Sequence, residues 1–174
     1  MYPEPTGRVI RSGPDAYDLI LNRPFTQSPQ TIWASFTQPA EAALWFGRWD
    51  GRPGPGETVD VQMLYETNQP FGSFQLQECV PGERLRVSAE DEYGSWDLEV
   101  NLTGSAGGSA VEFIQHLEDL ATVESTGPGW EFYLDRLGAV HGDGILPDFS
   151  NYYPAQGPYY AAQAQAAAES GAGS

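Results

Sequence analysis

The segment 18–39 constrains the fold most, because a strand pattern changes into a helix pattern inside it. Strict alternation puts two leucines and Arg23 on one face of a strand. Ser28 then stands where a helix N-cap belongs, and Pro29 takes the first helical position, which tolerates a missing N–H. The next apolar side chains recur one helical turn apart, at Ile32, Trp33 and Phe36. The segment therefore predicts a strand followed at once by a short helix.

A second short helix is predicted directly after the first. Thr37 or Gln38 precedes Pro39, which repeats the order of a cap followed by a proline. The apolar residues that follow run up to a glycine stop at Gly47.

A long helix is predicted near residue 130. Its apolar side chains repeat at helical spacing, at Trp130, Tyr133, Leu134, Leu137 and His141. We expect Glu131, Asp135 and Arg136 to occupy its outer, solvent-facing side, and the glycines at 142 and 144 to end it.

Several strand-like stretches with alternating apolar residues lie between the short helices and the long one, and they begin near Val59, Phe74, Leu85, Trp96 and Val111. Turn sequences separate them, at 51–56, Pro81-Gly82, Tyr93-Gly94 and 104–108. Regular spacing of strands and turns is typical of an antiparallel meander. One face of such a sheet is apolar, and we expect the long helix to cover it.

Both ends of the chain differ in composition from this body at 17–146. Residues 1–16 contain three prolines and no periodicity, which predicts a loose N-terminal arm. Residues 147–160 carry five aromatic side chains, and we expect this extension to dock on the body. Residues 161–174 form a low-complexity tail of Ala, Gln, Gly and Ser without an apolar stripe, and we expect its deletion to leave thermal stability unchanged.

Several motifs resemble the START-like, or helix-grip, superfamily (SRPBCC), and most of all its homologues of the heat-shock-protein ATPase activator. The run 32–39 is similar to the pattern "Val-Trp-x-Ala-(Phe/Trp)-Thr-x-Pro" of that group. Further similarity lies in Arg23 with Phe25, Trp45-Phe46, Gly72-Ser73-Phe74-Gln75-Leu76, Glu83-Arg84-Leu85 and Gly129-Trp130. The resemblance spans roughly residues 17–146.

The resemblance implies an α+β helix-grip fold: an antiparallel curved β-sheet with a short helix pair after the first strand and a long C-terminal helix packed across the sheet. It also implies an apolar ligand cavity between that helix and the sheet. Because the superfamily places carriers, cyclases and regulators on one scaffold, the function does not follow from the fold.

Charge narrows the range of partners. The chain has 24 acidic and 8 basic residues and a formal net charge of -16, so nucleic acids and anionic membrane surfaces would be repelled at long range. No run is long enough for membrane insertion, and the N-terminus lacks the basic-then-apolar order of a signal peptide. We therefore expect a cytoplasmic protein.

No pattern of catalytic or metal-ligating residues is present in the sequence. His116 and His141 are the only histidines, and neither belongs to a metal-binding motif. Cys79 is the only cysteine, and the glycine-rich run 104–108 joins two strands rather than a strand and a helix, which is typical of a hairpin. We therefore nominate no catalytic residue, no metal and no cofactor.

A ligand site is predicted where the inward strand residues meet the long helix. Its candidate lining consists of Met63, Tyr65, Phe74, Trp96, Leu98, Val111, Phe113, Gln115, Trp130, Tyr133, Leu134 and Leu137. Tyr65, Gln115 and Tyr133 are the polar groups that would orient a ligand there. The large aromatic side chains equally fit a filled interior. Arg23 points inward by alternation, and it either reaches solvent at the strand end or pairs with an acid or a ligand carboxylate.

Two classes of function are therefore predicted. The first is non-catalytic binding of a small hydrophobic molecule or lipid in that cavity. The second is a protein-interaction or co-chaperone-like module, although the chain is too short to hold the activator's separate partner-binding domain. A cyclase or hydrolase of the same superfamily is a third hypothesis, although the sequence shows no set of catalytic residues that would support it.

Overall fold

The computed structural model describes residues 2–51, 53–92 and 94–171, and its centre is a seven-stranded antiparallel sheet. The strands are β1 (Arg8–Gly13), β2 (Ala16–Phe25), β3 (Thr58–Gln62), β4 (Phe71–Val80), β5 (Arg84–Asp91), β6 (Gly94–Ser105) and β7 (Gly108–Leu117). Their order across the sheet is β1-β2-β7-β6-β5-β4-β3. The four α-helices are α1 (Pro29–Thr37), α2 (Pro39–Ala42), α3 (Val123–Val140) and α4 (Gly157–Glu169).

This architecture confirms the α+β helix-grip prediction. The meander β3 to β7 runs through neighbouring strands, and β7 then pairs with β2 to continue the sheet. Two local signals act as expected: the Ser28 side chain accepts a hydrogen bond from the Thr31 N–H at 3.3 Å, and prolines begin both α1 and α2. Of the predicted turn at 93–94, Tyr93 lies outside the described residues.

The core lies between the sheet and α3. Alternate residues of β2 and β7 point toward the helix, and Leu21 and Val111 are fully buried there. Leu134 and Leu137, one turn apart on α3, are buried from the other side. The helix begins at Val123, just after a short 3₁₀ turn capped by Asp119, whose side chain accepts from the Ala121 N–H at 2.9 Å.

The N-terminal segment is not the loose arm that its composition predicted. Residues 8–13 form β1, which pairs antiparallel with β2 and places Val9 opposite Leu19. Val9 is buried in the core. The physical reason is that β2 would otherwise be an edge strand with unpaired backbone groups, and β1 supplies their hydrogen-bond partners. The prolines that suggested a loose segment flank the strand rather than interrupt it.

The aromatic extension contributes to the core in part. Tyr152 and Tyr160 are buried, whereas Phe149 and Tyr153 remain 44% and 40% exposed. Phe132 on α3 forms edge-to-face contacts with both Phe149 and Tyr152, at centroid distances of 5.5 and 5.8 Å.

The tail beyond residue 160 is also more ordered than expected. Residues 157–169 form α4, which contacts α3 and β1, and Ala164 and Ala167 are buried. The Gln163 side chain accepts a hydrogen bond from the Val9 N–H, and the Ala168 carbonyl accepts one from Arg11. The expectation of no apolar stripe was wrong because alanine methyl groups suffice where a neighbouring element comes close. Residues 172–174 lie outside the described residues.

Deletion of residues 161–174 is expected to lower the free energy of unfolding by about 2 kcal/mol, because two buried methyl groups and the hydrogen bonds to β1 are lost. For a chain of this size, that corresponds to a melting temperature lower by about 4–8 °C. Differential scanning calorimetry of the truncated and complete proteins measures the change. Equal melting temperatures would contradict the docking of α4 beyond Tyr160.

Candidate functional site

Two cavities open beside the helix-grip core. The first cavity has a volume of about 320 Å³ and lies between the α1–α2 pair, with the segment after it, and strands β3 to β6. Its walls are mainly apolar side chains, among them Ala42, Trp45, Val61, Leu76, Val87 and Val100. Both its size and its apolar lining are typical of small-molecule sites, which begin at about 300 Å³.

The second cavity has a volume of about 400 Å³ and lies nearer to α3. It is bounded by the first half of α3, the loop residues 63–67 and the strands β4 and β6. Phe46, Phe74, Leu98 and Trp130 line both cavities and form the wall between them. Phe46 stacks on Trp130 at 6.2 Å and meets Phe74 edge-to-face at 6.4 Å, so this wall is built mostly of aromatic rings.

Eight of the twelve residues predicted to line the site do line a cavity. The second cavity brings together Met63, Tyr65, Phe74, Trp96, Leu98, Trp130 and Tyr133, and the first adds Phe113. The other four, Val111, Gln115, Leu134 and Leu137, are buried in the core and line neither cavity. The rings of Trp130 and Phe113 lie 4.5 Å apart between α3 and the sheet. These rings fill the gap there, so no cavity is left beside those four residues.

The three polar groups predicted to orient a ligand have different surroundings. The Gln115 side chain accepts a hydrogen bond from the Trp130 indole N–H at 2.8 Å. The Tyr65 hydroxyl donates to the Ala43 carbonyl at 2.5 Å. Both are thus already partnered within the protein. The Tyr133 hydroxyl is buried without a hydrogen bond of normal geometry to any described residue, and burial together with the nearby Glu66 carboxylate raises its pKa.

Sequence reasoning missed most of the first cavity. Its walls come from the helix pair and from β3 to β5, including Phe36, Trp45, Val59, Leu76 and Val87. The alternation of these strands marks the right faces, but the predicted site was placed against α3. A shared strand face is the signal that could have found them, because inward residues of one curved sheet all border the same enclosed volume.

The charge on Arg23 is paired with acids of α3. Its guanidinium forms an ion pair with Glu131 and lies 3.2 Å from Asp135, which decides between the two alternatives left open for this residue. Burial by itself would raise the pKa of Glu131, but Arg23 and hydrogen bonds from Tyr160 and Thr6 outweigh it and lower that pKa.

The solvent-facing position predicted for Glu131 is wrong. Its side chain is 1% exposed, because the N-terminal segment and α4 cover that side of α3. The backbone N–H groups of Thr6 and Gly7 donate to its carboxylate at 2.6 and 2.9 Å. Glu131 is therefore the centre of a structural cluster that ties both ends of the chain to α3.

A serine and a histidine lie in contact, but they do not form an accessible nucleophile. Ser35 Oγ lies 2.7 Å from His141 Nε2. Ser35 is 1% exposed and lines neither cavity. An activated nucleophile must reach its substrate, and this hydroxyl is enclosed by protein.

The other histidine belongs to the opposite face of the sheet. His116 lies between Asp18 and Glu99, at 2.7 and 2.9 Å. Burial alone would lower its pKa, but the hydrogen bonds to both carboxylates raise it. Within the described part of the chain, no three His, Cys, Asp or Glu side chains are placed to hold a metal ion.

A curved antiparallel sheet that packs around one long helix, with apolar cavities beside that helix, defines the helix-grip class. Residues 26–142 match the family model described as "Activator of Hsp90 ATPase homolog 1-like protein". The match covers more than half of the chain, and the protein belongs to this family. This confirms the resemblance drawn from the sequence motifs. Comparison with curated proteins found no match.

Solved structures show the same fold at low sequence identity. CalU16 from Micromonospora echinospora is similar with a TM-score of 0.75 and 20% identity, over 93% of this chain and 99% of that protein. EF2215 from Enterococcus faecalis, a conserved protein of unknown function, is similar with a TM-score of 0.71 and 18% identity, over 94% and 92%. At such identities the likeness concerns the fold alone. No helix in the described residues is long and apolar enough to cross a membrane.

Proposed function

We propose that this protein binds a small hydrophobic molecule or lipid without transforming it, and that the first cavity holds the ligand. The observation that carries this proposal is an apolar cavity of about 320 Å³ that opens between the helix pair and the sheet. A concave and mostly apolar cavity of this size is typical of small-molecule sites. An apolar space of this size offers water few hydrogen-bond partners, so an apolar ligand can take its place.

The lining favours an apolar body over a polar one. Strands β3 to β6 contribute valine and leucine side chains, and the helix pair contributes aromatic rings. Each Å² of apolar surface removed from water stabilises the complex by roughly 25 cal/mol before the costs of association. Thr37 and Gln38 contribute polar side chains to the lining.

The residues that line the first cavity are the reason for proposing that the ligand is bound without being chemically changed. Catalysis requires a nucleophile, an acid or a base within hydrogen-bond reach of the substrate. The paired Ser35 and His141 lie outside both cavities. Cys79 lines the first cavity, but no histidine, carboxylate or lysine is among the described lining residues to act as a base for its thiol. The cytoplasmic location inferred from the sequence stays a prediction.

Filling the first cavity is the direct test. Val87 lies on β5 between Leu76 and Leu98 of the neighbouring strands and lines only the first cavity. We expect Val87→Phe to weaken binding of the uncharged fluorescent probe N-phenyl-1-naphthylamine at least about tenfold, at a cost of about 1–3 kcal/mol in stability. Fluorescence titration gives the dissociation constants.

The matched control is Ser88→Phe, which adds a phenyl ring to the next residue of β5. Successive strand residues point to opposite faces, so this ring lies outside the cavity. The control should bind like the wild type. Equal affinity of Val87→Phe and the wild type would overturn the proposal. Native mass spectrometry of protein from its own source adds a second readout, since a retained polypeptide instead of a small molecule would favour the interaction-module alternative.

A further inference from the structure

The second cavity is lined by an unusual number of aromatic rings. Eight of its lining side chains are aromatic, namely Phe46, Tyr65, Phe74, Trp96, Trp130, Phe132, Tyr133 and Phe149. Trp96 and Trp130 meet at 79° with centroids 6.4 Å apart, so their planes form a corner. Phe46 and Tyr133 lie 5.1 Å apart and extend this wall. Ring faces carry partial negative charge, and such walls attract positive groups.

Carboxylates add to the negative potential of this cavity. Glu66 is the one charged residue among its lining side chains, and it forms no ion pair with another described residue. Asp91 accepts a hydrogen bond from the indole N–H of the lining residue Trp96 at 2.9 Å. The chain contains no lysine, and its net charge of -16 favours the approach of cations from solution.

Glu66 stands at the rim of the cavity, where the residue as a whole is exposed. Its carboxyl is nevertheless partly shielded from water, which raises its pKa, and Asp91 adds to this effect, whereas the hydroxyl of Tyr133 opposes it. The buried Tyr133 hydroxyl lies near this carboxyl, and among the described residues it has no hydrogen-bond partner of normal geometry. The rim thus holds a carboxylate that a positive group would stabilise.

One cation already lies at the edge of this cluster. The Arg136 guanidinium lies over the Tyr65 ring, 3.6 Å from its centroid. It is not among the residues that line the cavity. The contact shows that a cation is accommodated against a ring of this wall.

We infer that the second cavity is a binding site for an organic ammonium group, held against the aromatic walls and paired with the Glu66 carboxylate at the rim. The ligand class is an amine or quaternary ammonium compound with an apolar body. An anionic group would be repelled by Glu66, and an uncharged one would gain nothing from its charge. This inference goes beyond the proposed function, since it concerns a different cavity and a charged ligand.

The test compares two probes that share one shape. Benzyltrimethylammonium and neopentylbenzene differ in a positive nitrogen in place of a carbon, so their difference in affinity isolates the charge. Because the first cavity would also bind the neutral probe, both probes are titrated into the Val87→Phe protein, whose first cavity is filled. We expect this protein to bind the ammonium probe at least about tenfold more tightly than the neutral one. Isothermal titration calorimetry measures both dissociation constants. Equal or tighter binding of the neutral probe, or no binding of the ammonium probe, would overturn the inference.

The variant Glu66→Gln removes the rim charge and keeps the size of the side chain. It should weaken binding of the ammonium probe about tenfold and leave binding of the neutral probe unchanged. Glu83→Gln is the matched control, because it removes the same charge at the turn before β5, at the opposite end of that strand from Asp91. Similar losses of affinity for the ammonium probe in both variants would show that only the net charge of the protein matters. This result would overturn the inference that Glu66 belongs to a binding site.

The two proposals fail separately. Val87→Phe fills the first cavity and should leave binding of the ammonium probe unchanged. If Val87→Phe does not weaken binding of N-phenyl-1-naphthylamine, the proposed function is contradicted. If Glu66→Gln does not weaken binding of benzyltrimethylammonium, the second site is contradicted.

Discussion

Replacement of Glu131 with alanine is expected to lower the free energy of unfolding by about 3–5 kcal/mol, because removal of one partner of a buried ion pair leaves the other without its counter-charge. Arg23 would lose its buried carboxylate partner, and among the described residues Asp135, whose side chain is 34% exposed, would be the acid left to pair with it. The backbone N–H groups of Thr6 and Gly7 and the hydroxyl of Tyr160 would lose their acceptor at the same time. Urea denaturation followed by circular dichroism measures the loss.

The control is Glu118→Ala, which removes a carboxylate from an exposed position at the end of β7. We expect its effect to stay within about 0.5 kcal/mol of zero, as for most surface substitutions. A Glu131 variant as stable as this control would contradict the structural role of the cluster.

Acidification should reduce the difference between the wild type and Glu131→Ala. The folded pKa of Glu131 lies below its unfolded value of about 4.3, so its stabilising effect is fully present above that value. The effect is lost as the pH falls through the folded pKa. We therefore expect the two stability curves to be parallel above about pH 5 and to converge below it. A constant difference at all pH values would mean that the charge of Glu131 is not the cause.

The second large effect is expected for Tyr160→Ala, at about 3–5 kcal/mol, the usual range for loss of a buried aromatic side chain. Tyr160 is fully buried, and its ring lies against Gly127 on α3, where any Cβ would overlap it. Its hydroxyl donates to Glu131 and accepts from the Gly7 N–H at 3.2 Å. The side chain thus fills a space between α3, α4 and the N-terminal segment.

Two further variants separate the contributions at Tyr160. Tyr160→Phe keeps the ring and removes the hydroxyl, so about 1–3 kcal/mol should be lost. Tyr2→Ala removes a tyrosine that is 63% exposed, and its melting temperature should be close to that of the wild type. Thermal unfolding of all three proteins gives the comparison. A Tyr160→Ala protein that melts like Tyr2→Ala would show that α4 does not contribute to the core.

The regions predicted best from the sequence are those that local chemistry decides. Three signals act within a few residues of the chain. They are the Ser28 cap, the prolines at the starts of α1 and α2, and the alternation along β2 and β7. They led to the correct element types and, through the family motifs, to the correct fold. The predicted lining followed the same logic, and eight of its residues border a cavity because alternation selects the inward face of a strand.

The errors concern quantities that depend on distant neighbours. Glu131 has the spacing of an outer helical residue, yet α4 and the N-terminal segment bury it. Gln115 points inward as predicted, but its side chain already accepts a hydrogen bond from the Trp130 indole N–H. Neither contact leaves a signal in the local sequence, since the partners are separated by many residues along the chain.

The sequence by itself determined the order of the elements from β2 to α3, the apolar faces of the strands and the family, because periodicity, caps and motifs depend on residues that are close in the sequence. It did not determine β1 and α4, which form where they pack against β2 and α3, elements distant in the sequence or brought close only by folding. Only the tertiary structure decided where space remains. The aromatic rings of α3 close the gap against β7, whereas the helix pair stands away from β3 to β5 and leaves the first cavity open. The volume left between packed elements depends on how all their side chains fit together, and that fit is settled only when the elements meet.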